Sequence, residues 1–327
     1  WPNKSIFPFY SLLMMAHIPT DVIFDETITR YGLDNYDVLI LHQAEVLTQS
    51  VYNKILEFKK RGGIVIADKY LGADIPVDYR IKFNLNHRKK QLADLVLEGK
   101  GVTADEDRNL MTKYSKQLRH ALGNKIKRYI DSPSTEVVFN VLENGPVRYV
   151  FMINDKRTYG GRFGQWKTMH TKGVEQTVEA SLHYEGEKAP VIYDVRTHTI
   201  VSTMKEDGVY KFTRKLAPAD GTILCVYPAP ISKIKIDVPA IVERGTKASI
   251  HITVLDSEGK SYGTQPLHIR VTAVGDTNTP YTDFYATNNG KFKLNIIPAL
   301  NDSTGIWRVK VTDLTSGLVS FKEFKVR

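Results

Sequence analysis

The chain has 327 residues, 42% hydrophobic and 25% charged, and a formal net charge of +9. Two or three domains are expected at that length, the composition excludes a disordered chain, and no apolar run approaches the roughly 20 residues that span a bilayer. A single cysteine, Cys225, excludes an intrachain disulfide framework and a cysteine-rich zinc site.

The basic balance permits binding to acidic polymers without establishing it. From His87 to Asp131, eleven Lys or Arg face six Asp or Glu, which reads as a solvated helix face; no nucleic-acid partner is expected. Trp1-Pro-Asn-Lys4 is not a basic start followed by an apolar run, so no secretory signal is visible. Trp1 reads like the middle of a longer protein. The compartment stays open, with an extracellular or cell-surface location favoured.

In chain order, Ile6–Ala16 predicts a helix with Phe9, Leu12, Leu13 and Ala16 on its apolar side, and Asp21–Phe24 a strand. Val38–Leu41 is a wholly apolar run of the kind buried on both faces of a parallel sheet. Thr48 is suited to cap a helix carrying Val51, Ile55 and Phe58 at helical spacing. Gly62-Gly63 provides the left-handed exit, and Ile64–Ala67 is the second buried strand. A doubly wound sheet begins with a strand, yet here a helix comes first. The expectation is a sheet lacking its first strand, completed by residues from outside the chain beside Asp21–Phe24 or Val38–Leu41. Thr103-Ala-Asp-Glu106 forms a capping box. Leu110, Tyr114, Leu118, Leu122 and Ile126 then recur every four residues, and Gly123-Asn124 interrupts them.

From residue 135 the period changes to that of strands. Val137–Leu142, Arg148–Ile153, Thr177–Leu182, Val191–Asp194, Thr199–Ser202, Tyr210–Leu216 and Thr222–Tyr227 alternate between turn signals such as Asn144-Gly145 and Asp207-Gly208. After the stiff Pro228-Ala-Pro230, a second set runs through Lys233–Val238, Ala248–Leu255, Leu267–Ala273, Asp283–Ala286, Lys291–Ile296, Ile306–Asp313 and Leu318–Val326. The pattern predicts two antiparallel β-sandwiches, the second immunoglobulin-like. The expected organisation is an α/β domain over 1–85, a helical connector over 86–132, a β-sandwich over 133–229 and an immunoglobulin-like sandwich over 230–327.

The candidate ligand-binding residues fall into two groups. His42 and Asp68 follow two parallel strands, where open α/β sheets place ligands, though polar residues commonly begin loops there. Arg157-Thr-Tyr-Gly-Gly-Arg-Phe-Gly-Gln-Trp166 reads as a long aromatic and glycine-rich connection between strands, with Tyr159, Arg162, Phe163 and Trp166 as its ligand candidates. Sugars bind aromatic faces with polar groups fixing the hydroxyls; packing on a neighbouring domain is the competing reading. No histidines show metal-ligand spacing, no carboxylate pair stands out for glycoside cleavage, and no cofactor is expected.

Three stretches carry a resemblance: Leu13-Met-Met-Ala-His-Ile-Pro-Thr-Asp-Val22, Tyr36-Asp-Val-Leu-Ile-Leu41 with Ala44-Glu-Val-Leu-Thr48, and Phe58-Lys-Lys-Arg-Gly-Gly-Ile-Val-Ile66. Together they resemble the glutamine-amidotransferase-like (flavodoxin-like) domain that follows the catalytic barrel of certain bacterial β-galactosidases and serves as their trimerisation domain. Val191-Ile-Tyr-Asp-Val195 and Ala217-Pro-Ala-Asp-Gly-Thr-Ile-Leu224 are similar to the β-sandwich that closes many glycoside hydrolases. Active amidotransferases use a cysteine nucleophile, and here the only cysteine lies in a β module. The resemblance therefore implies a non-catalytic accessory segment of a carbohydrate-active enzyme. Its partners would be a catalytic barrel segment or another copy of the chain, with a polysaccharide as a further candidate. The alternative is a cell-surface carbohydrate- or protein-binding protein without enzymatic activity.

Overall fold

The computed structural model describes residues 6–83, 85, 104–126, 128–163 and 168–327. The described residues are mostly β-structure, arranged in several sheets. Contacts divide the chain into two compact units, 1–139 with 154–176 and 140–153 with 177–327.

The first unit holds a three-stranded parallel sheet in the order β1 (Val38–Leu41), β2 (Ile64–Ala67), β3 (Tyr79–Arg80). Its helices among the described residues are α1 (Ile6–Met15), α2 (Asp25–Tyr31), α3 (Gln49–Lys60) and α4 (Ala104–Leu122). β1 and β2 are the two apolar runs expected, paired from Val38 with Ile64 to Leu41 with Ala67. Thr48 caps α3, its hydroxyl accepting the Val51 N–H at 3.4 Å. Val51, Ile55 and Phe58 are fully buried against one face of the sheet's core, with Leu39, Leu41 and Val65. The chain leaves α3 at Gly62, whose φ of +96° suits glycine.

Asp21–Phe24 is not a strand. It leads without sheet pairing into α2, a helix missed in the sequence pattern, and Val22 and Phe24 stay about half exposed. β3 has only two residues, too few to show a period. α4 packs on α1. Its Met111, Leu118 and Leu122 share one core with Phe9, Leu12 and Leu13 of α1 and Ile66 of β2. The helix gives way to a short 3-10 turn at Gly123. The capping residue Thr103 lies outside the described residues.

Arg157–Phe163 is also a strand and not a connection. It pairs antiparallel with Thr168–Gly173, with a bulge between Tyr159 and Arg162 where Gly160-Gly161 inserts an extra residue. Glycine weakens strand propensity, which hid this strand from its composition.

In the second unit, one sheet joins Thr199–Ile200, Val191–Asp194, Gly221–Tyr227, residues 147–153 and residues 140–144 in that spatial order. Another contains Met204–Glu206, Val209–Leu216 and residues 177–182. Inward residues such as Val178, Ala180 and Leu182 alternate with exposed ones. Toward the C-terminus, a three-stranded sheet (Ile231–Asp237, Ala248–Asp256, Lys291–Ile296) and a five-stranded sheet enclose one core containing Ile250, Ile252, Ile269, Trp307 and Val309. These are the all-β sandwich arrangements that the alternation predicts. Pro228-Ala-Pro230 does not hold the two β modules apart. Tyr193 and Tyr227 pack with Tyr262 and Ile231, and the Tyr193 hydroxyl accepts the Ile231 N–H at 2.9 Å.

Candidate ligand cleft and open sheet edge

The parallel register of β1 and β2 brings His42 and Asp68 together just past the strands' carboxyl ends. His42 Nδ1 lies 2.8 Å from Asp68 Oδ2. Asp68 is almost fully buried, and its two oxygens accept the main-chain N–H groups of Gln43 and Tyr70, each at 2.9 Å. A buried carboxylate requires such donors, because an unpaired one is strongly disfavoured. The His42 ring stacks on Phe9 of α1, with centroids 4.6 Å apart and planes 13° from parallel. Burial pushes the His42 pKa below its ordinary value, and the Asp68 charge partly offsets this. A neutral imidazole beside a fixed carboxylate can hold a proton in a defined place.

Above this pair opens a cleft of about 700 Å³, bounded by the loops after all three strands and by α4. Phe83 and Tyr114 stack on its wall, 4.5 Å between centroids. Lys69, Lys82 and Lys113 also line it. No Ser, Thr or Cys is among its described lining residues. The arrangement is suited to holding a ligand, and the hydroxyls on its described walls are those of Tyr70 and Tyr114. Among the described residues no three His, Cys, Asp or Glu cluster as a metal site, and no helix is long and apolar enough to cross a membrane.

Of the second candidate group, Tyr159, Arg162 and Phe163 lie on the bulged hairpin strand, and Trp166 lies outside the described residues. Sequence reasoning missed the cleft lysines and the Phe83–Tyr114 stack. Lys69 is adjacent to Asp68 in sequence, but Lys82 follows a two-residue strand that carries no periodic signal.

The outer edge of β1, which pairs with no strand among the described residues, is a second feature. Ile64 donates its N–H to the Asp37 carbonyl and Asp68 to that of Leu41, so Asp37, Leu39 and Leu41 direct their main-chain groups at β2. Val38 and Ile40 therefore direct theirs the other way. Among the described residues no hydrogen bond reaches those groups. They face an apolar hollow of about 270 Å³ lined by Phe9, Leu13, Ile18, Val22, Ile23 and Tyr36, among others.

No family model matches the sequence, and no curated protein matches it either. Among solved structures, an α-L-fucosidase (isoenzyme 2) from Paenibacillus thiaminolyticus is similar over 69% of this chain, at 13% identity and a TM-score of 0.46. The matched part spans 45% of that enzyme. A superoxide reductase (neelaredoxin) from Ignicoccus hospitalis matches 30% of this chain and 82% of its own, at 13% identity and a TM-score of 0.23. A PKD domain of an M14-like peptidase from a Thermoplasmatales archaeon matches 30% of this chain and 95% of its own, at 13% identity and a TM-score of 0.21.

Proposed function

We propose that this chain is an accessory, assembly-directing segment of a carbohydrate-active enzyme of the glycoside hydrolase kind. Its parallel sheet takes up an extended strand from the segment that carries the catalytic barrel. The observation behind this reading is the open edge of β1. An unpaired strand edge is a template for another strand, and Val38 and Ile40 present donors and acceptors at the spacing such a strand matches. The hollow beside them offers apolar contact for the incoming side chains. The amidotransferase-like resemblance of 1–85 agrees with an assembly role, and the four-segment organisation belongs to the same reading.

Hydrogen exchange at single amides tests it. In the chain alone, Val38 and Ile40 are expected to exchange at least about tenfold faster than Leu39 and Leu41, which donate to β2. Adding a catalytic barrel encoded in the same gene or beside it should slow Val38 and Ile40 to match. No change at these two amides on adding the barrel would overturn the reading, as would protection that arises only when the chain pairs with its own copy.

A further inference from the structure

We infer that the cleft at the carboxyl ends of β1, β2 and β3 binds an acidic saccharide, a sugar ring bearing carboxylate or sulfate. Three lysines converge on it from three separate elements: Lys69 after β2, Lys82 after β3, and Lys113 on α4. A solvated helix face accounts for Lys113 but not for the other two. None of the three forms an ion pair among the described residues. Asp68, the one carboxylate among the described residues of the cleft wall, is already engaged by His42 and two main-chain N–H groups. The charge of the described lining is therefore positive, and the walls of a concave site concentrate its field.

The same positive surface continues past Lys82 and Lys113 into a neighbouring hollow that adds Lys116. A ligand longer than one sugar ring would find cations along its length. The stacked Phe83 and Tyr114 present a flat aromatic wall for a ring face, and Gln117 supplies an amide for hydroxyl groups. A tightly held phosphate would call for a glycine-rich loop of main-chain N–H groups. The loops from His42 to Thr48 and from Asp68 to Asp78 hold a single glycine, Gly72, and so are not glycine-rich. Flexible lysines are better matched to carboxylates or sulfates spread along a chain. The saccharide class rests on the proposed carbohydrate role, whereas the preference for negative charge rests on the cleft alone.

Calorimetric titration of the full chain tests this with four probes: an oligogalacturonide, a sulfated galactan oligosaccharide, a neutral galacto-oligosaccharide of equal length, and sodium sulfate. At least one charged oligosaccharide should bind about tenfold or more tighter than the neutral one, and weaken as salt rises. The double substitution Lys82→Gln with Lys113→Gln should weaken it by roughly tenfold, while Lys60→Gln, away from the cleft, leaves it unchanged. Equal affinity for the neutral sugar, binding of sulfate as tight as that of the oligosaccharides, or no binding at all would each overturn the inference. The exchange of Val38 and Ile40 is read without any sugar, so failure here and failure of the assembly reading are told apart.

Discussion

The Tyr149 hydroxyl donates to the Thr264 carbonyl at 2.8 Å and accepts the Thr264 N–H at 2.9 Å. One side chain of the first β module thus satisfies both main-chain groups of a residue in the second. Tyr149→Phe keeps the ring but leaves both groups without that partner in a part-buried site. The expected cost is about 2 kcal/mol, read from the denaturant midpoint at constant slope. A change below roughly 0.5 kcal/mol would mean that water replaces the hydroxyl without loss.

Cys225 is 1% exposed in the strand Gly221–Tyr227. Burial pushes its thiol up to about 12. Native protein at pH 8 should therefore resist iodoacetamide, since the thiolate is the reactive form. Cys225→Ala should cost on the order of 1 kcal/mol through lost packing. Rapid labelling of the folded chain would contradict the buried placement.

His42 accepts a proton less readily folded than unfolded, because burial lowers its pKa more than Asp68 restores it. Its contribution to stability is then complete above the unfolded value of about 6.5 and lost as pH falls through the lower folded value. Urea midpoints should drop between pH 7 and pH 5, and His42→Gln should flatten that part of the profile. An unchanged profile in the variant would place the acid sensitivity elsewhere.

Asp131 joins the loop after α1 to α4. It accepts from His17 Nδ1 at 2.8 Å and from Arg119 at 2.7 Å. Burial by itself raises the carboxyl, but the His17 hydrogen bond and then the Arg119 charge outweigh it and hold its pKa below the usual range. The stability it contributes is present above about 3.8 and is lost as pH falls through the depressed folded value. Asp131→Asn should destabilise the first unit by about 2 kcal/mol at pH 7, less than for a fully buried pair because the site is partly exposed. Thermal unfolding at pH 7 and pH 3 checks both points, and the gap between variant and parent should narrow at the lower pH.

Local patterns were sufficient for much of this fold. Val38–Leu41 and Ile64–Ala67 stood out as uninterrupted apolar runs, α3 by its Thr48 cap, and the β modules by their alternation between turns. Each of these signals lies within a few residues, where side-chain period and backbone preference act directly. Which strand has a neighbour is a different kind of question. Asp21–Phe24 carries apolar residues yet pairs with no strand among the described residues, and Tyr79–Arg80 carries almost no signal yet pairs with β2, because pairing depends on which main-chain groups meet across the fold. The site follows the same division. The sequence by itself placed His42 and Asp68 after two strands. Only the tertiary structure decided that parallel register sets them 2.8 Å apart, that α4 closes their cleft with Lys113 and Tyr114, and that Val38 and Ile40 face outward along an open edge. Those are distances between segments remote in the chain, set by packing and hydrogen-bond satisfaction, to which no local period responds.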